Sequence, residues 1–393
     1  MKKVTVIGNF SGRNAGDAAI LGGVLRDVSS RFKRVKFDIP TINTQFVDRS
    51  FYFYNIKSVG MMPWNLSAKI LGLPVVRSVL TSDLILVTDA ILFDRKLYNP
   101  LFNYLWTLSK VLPLASKRGI PVVLYNCSLG PIRTRAGRYA LEQVLNSAEL
   151  LILRDVESVE LLERLELSHP NIVEGADCAL NAEPAGDKRF QEICATEGLF
   201  QSERPVIGFN VNSYVDAFVR KDGASFGRET LVRLYAETVD RVIESLGVDV
   251  IFVETQHMDM KIAGAVLASI KQRERVRLIS NKKYSYNDIC AVLRRLELFV
   301  GMRTHSLILS SAMGIVPVGI VTYPKNRGYM RTIGLEDNLI EFADLSTEKF
   351  VQLIRSVYER RNEIKEKMIP NLLREKAKAR DAVNQLMPFL RGF

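Results

Sequence analysis

Arginine, histidine and lysine crowd one short region of the chain. It reads Gly301-Met302-Arg303-Thr304-His305-Ser306, then an apolar run, then Tyr323-Pro324-Lys325. His305 is one of only three histidines. Residues 298–300 read as a buried strand, residues 307–312 as a helix packed on it, and residues 316–321 as the next strand. Lys325 is expected in the loop beyond that strand's carboxyl end, where open parallel sheets bind ligands. Arg303, His305 and Lys325 would then converge beside a helix N-terminus, which already favours anions. Such a set suits a small, multiply charged acid, with the histidine placed to move a proton. The competing reading of His305 is a capping or core histidine with a satisfied backbone bond.

Other polar groups also fall at predicted strand ends. The first loop, Gly8-Asn9-Phe10-Ser11-Gly12-Arg13-Asn14-Ala15-Gly16-Asp17, carries glycines four apart before a helix. That spacing lets backbone approach an anion or a sugar hydroxyl, but it is neither GxGxxG nor GxxxxGK[ST]. Dinucleotide and P-loop chemistry therefore lose their support, although Asp38 could mimic a ribose-binding acid. Asn14 and Asp17 are candidates for ligand contact, with Asp17 otherwise a helix-start residue. Arg154-Asp155 follows residues 150–153 at another strand end, and is either an anion contact or a surface ion pair of modest value. His257 and Asp259 could hold acceptor hydroxyls or supply a base, Asp259 being otherwise a helix N-cap. Asp177 is a candidate structural acid, and His169, beside Pro170, a surface residue.

The elements that must position these residues alternate strand and helix. Strands are expected at 3–7, 35–39, 84–87, 122–125 and 150–153, with a helix over 17–30. A second set follows a polar stretch at 181–188, with strands at 206–211, 248–254 and 277–279 and helices at 230–246, 260–271 and 287–294. This pattern predicts α/β architecture, two Rossmann-like parallel-sheet domains facing a cleft, glycosyltransferase-B-like. The expected division is 1–182, 203–345 and a charged helical segment 346–393 that straps the domains together.

Composition narrows the function classes. The 393 residues are too many for a single core, and 47% hydrophobic with 25% charged residues is ordinary for a globular protein. Net charge is +11 at pH 7 and the pI is about 9.4, which suits polyanionic substrates or an anionic membrane face. The cations are spread out and no nucleic-acid module is present, so nucleic acid is not an expected partner. The four cysteines form no CxxC pair, which argues against zinc and disulfides and for a reducing compartment. The apolar run after Met1-Lys2-Lys3 is too short for a signal peptide, and no stretch is long enough to span a bilayer. A cytoplasmic protein is expected, with the inner face of the membrane as an alternative station. Segments 61–80 and 97–114 are apolar; they read as core helices or as a surface for peripheral membrane contact.

In their order and types these motifs resemble the polysaccharide pyruvyl transferase family, over residues 3–330. Asn14-Ala15-Gly16-Asp17 resembles its opening N-x-G-D, Arg154-Asp155 with Ser158 its R-D-x-x-S, and Asp177 its following acid. His257 with Asp259 resembles its mid-chain segment. Arg303-Thr304-His305-Ser306 through Gly314 and Pro317 to Tyr323-Pro324-Lys325 resembles R-x-H-S…G-x-P…Y-x-x-K, with the lysine two after the tyrosine. One departure is Thr88-Asp89-Ala90, where the family has a glycine-rich turn; glycine-free backbone there is expected to block close approach of a ligand.

The resemblance implies transfer of a pyruvyl group from phosphoenolpyruvate to hydroxyls of a sugar or lipid-linked oligosaccharide, with ketal formation and release of phosphate. It implies the first domain on the acceptor side and the second on the donor side. Arg303, Arg154 and Lys325 would hold the carboxylate and phosphate, and His305 would protonate the methylene carbon. No cofactor and no obligatory metal are expected. Two alternatives stand beside this reading, a glycosyltransferase of the same architecture with a nucleotide-sugar donor and a non-catalytic glycan-binding member of the family.

Overall fold

The computed structural model describes residues 1–61, 72–98, 103–213 and 227–390. Two compact units result. One comprises Met1–Gly12, Asp17–Asn181 and the chain from Glu375 onward; the other comprises Arg13–Gly16 and Ala182–Arg374.

The first unit holds a parallel sheet of β1 (Lys2–Ile7), β2 (Val35–Thr41), β3 (Ile56–Gly60), β4 (Leu84–Leu92), β5 (Val122–Leu129), β6 (Leu150–Leu153) and β7 (Ile172–Glu174), in the order β3-β2-β1-β4-β5-β6-β7. A sheet covered on both faces has no wet side, so its central strands read as mainly apolar runs instead of alternating. All eight residues of β5 are buried, as are Leu84 to Val87 of β4. The order reverses between β1 and β4, which pair directly with Ile7 opposite Val87. A crevice outside the carboxyl ends is expected at such a reversal.

The second unit repeats the scheme with β8 (Val206–Phe209), β9 (Asp249–Glu254), β10 (Val276–Ser280), β11 (Leu298–Gly301), β12 (Pro317–Val321) and β13 (Leu339–Glu341), in the order β10-β9-β8-β11-β12-β13. Its reversal lies between β8 and β11. The helix Thr347–Glu359 buries Phe350, Ile354 and Val357, and Phe350 meets Tyr235 edge-on at 5.8 Å between ring centroids. Both units are Rossmann-like, the α/β class expected from the strand–helix alternation. Among the described residues no helix is long and apolar enough to cross a membrane.

Several details differ from the sequence reading. Residues 13–16 cluster with the second unit because they pair with the segment after β9. Ala15 N donates to Thr255 O at 2.8 Å, and His257 N to Arg13 O at 3.0 Å. The chain from Glu375 clusters with the first unit, where Asn126 donates to Ala379 O and Asn181 to Lys376 O. Strand β4 does not end at Val87 in a turn. It runs to Leu92 through a register shift at Asp89, whose φ is 70°. Asp89 thus adopts the left-handed backbone that glycine would otherwise supply, which aspartate tolerates better than most residues. Lys325 lies not in a loop but in the first turn of the helix Pro324–Thr332. The apolar segments 61–80 and 97–114 lie partly outside the described residues; the helices Leu73–Leu80 and Leu105–Ser116 are the parts described.

Candidate functional site

In the second unit, the carboxyl ends of β11 and β12 adjoin, with Gly301 opposite Gly319. The helix Thr304–Ala312 starts directly after β11 with Arg303 as its N-cap, and Pro324–Thr332 starts directly after β12 with Tyr323 as its N-cap. Two positive helix ends therefore stand side by side. Buried Asn326 joins them. Its amide donates to Met302 O at 2.9 Å and to Ile320 O at 2.8 Å, and Thr304 Oγ1 donates to its side-chain oxygen. Lys325 adds a cation where the helix dipole already disfavours one. That arrangement is unfavourable alone and favourable around an anion.

Arg303 is set by Asp259. Its Nε and Nη2 donate to the two carboxylate oxygens at 2.7 and 2.8 Å, a bidentate clamp that fixes the guanidinium plane. Asp259 is fully buried and also accepts from Ser213 N and Ser213 Oγ at 2.9 and 2.7 Å. Sequence reasoning offered Asp259 as an N-cap or an acceptor contact. No side-chain cap bond is made, and the residue serves as the counter-ion of Arg303. Ser306, buried, donates to Arg303 O at 2.7 Å, so this serine of the motif shapes the turn that carries the arginine and histidine. Nearby, burial holds the Glu254 carboxyl well above the usual range, reinforced by Asp259 and opposed by the Val211 N–H and Arg303. Its oxygens accept from Asn210 and Val211 N.

His305 is the second residue of its helix and half-buried. The first loop packs on its ring. A Cβ built on Gly16 would lie 2.2 Å from His305 Cγ and 2.4 Å from Nδ1, so only a residue without a side chain fits there. Asn14 holds that stretch by accepting from Gly16 N at 2.8 Å and bridging to Gln256. His257, two residues before Asp259, faces Asn281 O at 3.3 Å. Burial lowers its pKa, Arg13 and Lys282 lower it further, and the Asn281 carbonyl opposes them. Asn14, His257, Arg303, His305 and Lys325 thus all belong to the second unit.

The first unit gathers a different centre at its own reversal. Asp17 follows β1 and Asp89 lies on β4; both are buried, and their carboxylate oxygens come within 4.8 Å of each other. Asn9 Nδ2 donates to Asp17 at 2.8 Å. Arg154, after β6, is nearly buried, with Nη1 2.7 Å from Asp177 and with Asp89 and Asp155 each at 4.0 Å. Burial works against its charge, but Asp177, Asp89 and Asp155 outweigh burial and raise its pKa. The sequence suggested either an anion contact or a surface pair. The structure puts Arg154 instead among carboxylates, in a centre richer in acid than in base.

The rest of that motif is structural. Asp155 caps the helix Val156–Arg164 by accepting from Ser158 N at 3.0 Å, and Ser158 Oγ accepts from Leu129 N at 2.8 Å. Sequence reasoning missed Asp89 and Asn326. The turn expected at 88–90 hid the first, and nothing local marks the second.

The profile of the polysaccharide pyruvyl transferase family matches residues 14–323. The amylovoran biosynthesis protein AmsJ of Erwinia amylovora is 21% identical over 413 residues, covering 93% of this chain and 94% of that protein. Among solved structures, UDP-GlcNAc 2-epimerase from Neisseria meningitidis is similar with a TM-score of 0.63 and 12% identity, over 99% of both chains. ADP-heptose lps heptosyltransferase II from E. coli is similar with a TM-score of 0.53 and 12% identity, over 92% of this chain and all of that one. At such identities these likenesses speak to fold alone.

Proposed function

The chain belongs to the polysaccharide pyruvyl transferase family, and from that premise we propose that it transfers the pyruvyl group of phosphoenolpyruvate to hydroxyls of a sugar during polysaccharide biosynthesis. The observation that carries the reading is the pair of adjacent helix N-termini bearing Arg303, His305 and Lys325. Phosphoenolpyruvate presents a carboxylate and a phosphate on one small skeleton. Two positive helix ends, a clamped guanidinium and an ammonium are suited to that charge distribution.

In this mechanism His305 protonates the methylene carbon C3, and the cation that forms at C2 is attacked by an acceptor hydroxyl oxygen. The C2–O bond to phosphate then breaks, phosphate leaves, and a second hydroxyl closes the ketal. Of the two hydroxyl protons, one replaces the proton given to C3 and the other leaves with phosphate. The acid-rich centre of the first unit suits neutral hydroxyls better than anions. Asp17 and Asp89 are assigned to accept hydrogen bonds from acceptor hydroxyls, and Arg154 to hold those carboxylates in place. A cytoplasmic station, where phosphoenolpyruvate is available, follows from this reading.

Calorimetric titration with phosphoenolpyruvate and with UDP tests it. Saturable binding of phosphoenolpyruvate that is lost in Arg303→Ala and kept in His305→Ala, with phosphate release abolished in both, is expected. Binding of UDP in its place would move the chain to nucleotide-sugar chemistry. Equal turnover in His305→Ala and the unaltered chain would end the proton-donor role.

A further inference from the structure

One stretch of the first unit carries cations and no acid. Residues 95–141 carry eight Lys or Arg and no Asp or Glu, within a chain whose net charge is +11. Much of this segment forms the helices Leu105–Ser116 and Arg135–Leu145. On the first of these, Trp106, Lys110, Leu114 and Lys117 fall within about 80° of one another around the axis. They form one stripe in which Lys110, Leu114 and Lys117 are exposed and Trp106 half-buried. Lys110 Nζ stands 4.5 Å from the Trp106 ring and 5.8 Å from that of Tyr139 on the second helix, so both helices share this face. Tyr98 adds its ring edge-on to Trp106 at 4.9 Å. The apolar groups are not covered by the unit, since Tyr98 is 61%, Tyr139 53% and Leu114 50% exposed.

We infer that this face docks the protein on an anionic phospholipid bilayer. Cations alone would suit any polyanion, but here they surround tyrosine, tryptophan and leucine. Tyrosine and tryptophan rings favour the headgroup level, and an exposed leucine gains only from an apolar phase. Lys110 and Lys117 flank Leu114 along the helix, with stems long enough to reach headgroup phosphates while the leucine enters the acyl boundary. The one acid at the start of the segment, Asp94, is buried and spent on Arg133 N, Thr134 N and Thr134 Oγ1, so it does not repel an anionic surface. Docking of this kind goes beyond the transfer reaction and does not depend on it.

The test is flotation of the full chain with vesicles of phosphatidylethanolamine and phosphatidylglycerol, against phosphatidylcholine alone. The unaltered chain should float with the anionic vesicles, stay down with the neutral ones, and detach as salt screens the attraction. Arg133 and Arg135 are exposed at the start of the second helix, and K110E/R133E/R135E should lower partitioning about a hundredfold or more, at roughly fivefold per charge. Leu114→Ser with Tyr139→Ser should weaken it while leaving the charge intact. A control of equal charge change on other exposed sites, K33E/R34E/K349E, should float nearly as the unaltered chain does. Equal loss in the control and the test variant would reduce the effect to bulk charge and overturn the docking face. So would a chain that stays down with anionic vesicles yet is retained by an immobilised polyanionic polysaccharide.

Discussion

The Gly16→Ala substitution sets one methyl group against the ring of His305. The added carbon would lie 2.2 Å from Cγ, 2.3 Å from Cβ and 2.4 Å from Nδ1. Carbon atoms settle at about 3.5 Å, so the ring or the loop must give way by roughly 1.3 Å. A displacement of about 1 Å at a reacting group costs on the order of a hundredfold in rate, or about 2.7 kcal/mol of transition-state stabilisation. Stability should fall by no more than about 3 kcal/mol. Overpacking costs about 1–3 kcal/mol, while replacing a helical glycine by alanine returns up to about 1 kcal/mol. Because the chain has only three histidines, a spectrum of the protein carrying ¹³C-labelled histidine resolves His305 directly. The expected result is a shifted His305 ring resonance and a large fall in phosphate release from phosphoenolpyruvate, with melting lowered by at most a few degrees. Gly264→Ala is the control, since a Cβ there meets nothing within 4 Å. An unmoved His305 resonance and unchanged turnover in Gly16→Ala would refute the packing argument.

Three further outcomes follow from the same geometry. Asp259→Asn loosens the clamp on Arg303 and should raise the Kd for phosphoenolpyruvate about tenfold by calorimetry, equivalent to roughly 1.4 kcal/mol. Asp177→Asn leaves the nearly buried Arg154 short of its nearest counter-ion; a loss of about 3 kcal/mol is expected, read as a lower urea midpoint. The pKa of His257 is lowered by burial and by Arg13 and Lys282, so its neutral form favours folding above the unfolded pKa and that stability is lost as pH falls. His257→Gln should therefore narrow the drop in melting temperature between neutral and mildly acidic pH. A drop as large as in the unaltered chain would show that His257 does not carry it.

The strand–helix alternation was legible because buried parallel strands carry continuous apolar runs, as β11 and residues 122–125 of β5 do, and because the long helices, such as Arg228–Leu246, carry a continuous buried stripe. The shorter edge strands β3, β7 and β13 were not legible. They have three to five residues, and β7 buries none fully, so no pattern distinguishes them from loop. The residue types of the second unit's site could also be read along the chain, since Arg303, His305 and Lys325 lie within 23 residues at adjacent strand ends.

Which charges are compensated is a different matter, because ion pairs form across large sequence separations. Asp259 clamps Arg303 from 44 residues away, and Asp177 and Asp89 enclose Arg154. Gly16 meets His305 only after the first loop has paired with the segment following β9. Local residue pattern and solvent preference decided the elements of this protein and the kind of chemistry at their ends. Only the tertiary structure decided which arginine faces acid, which aspartate takes a left-handed turn, and which glycine leaves room for a histidine.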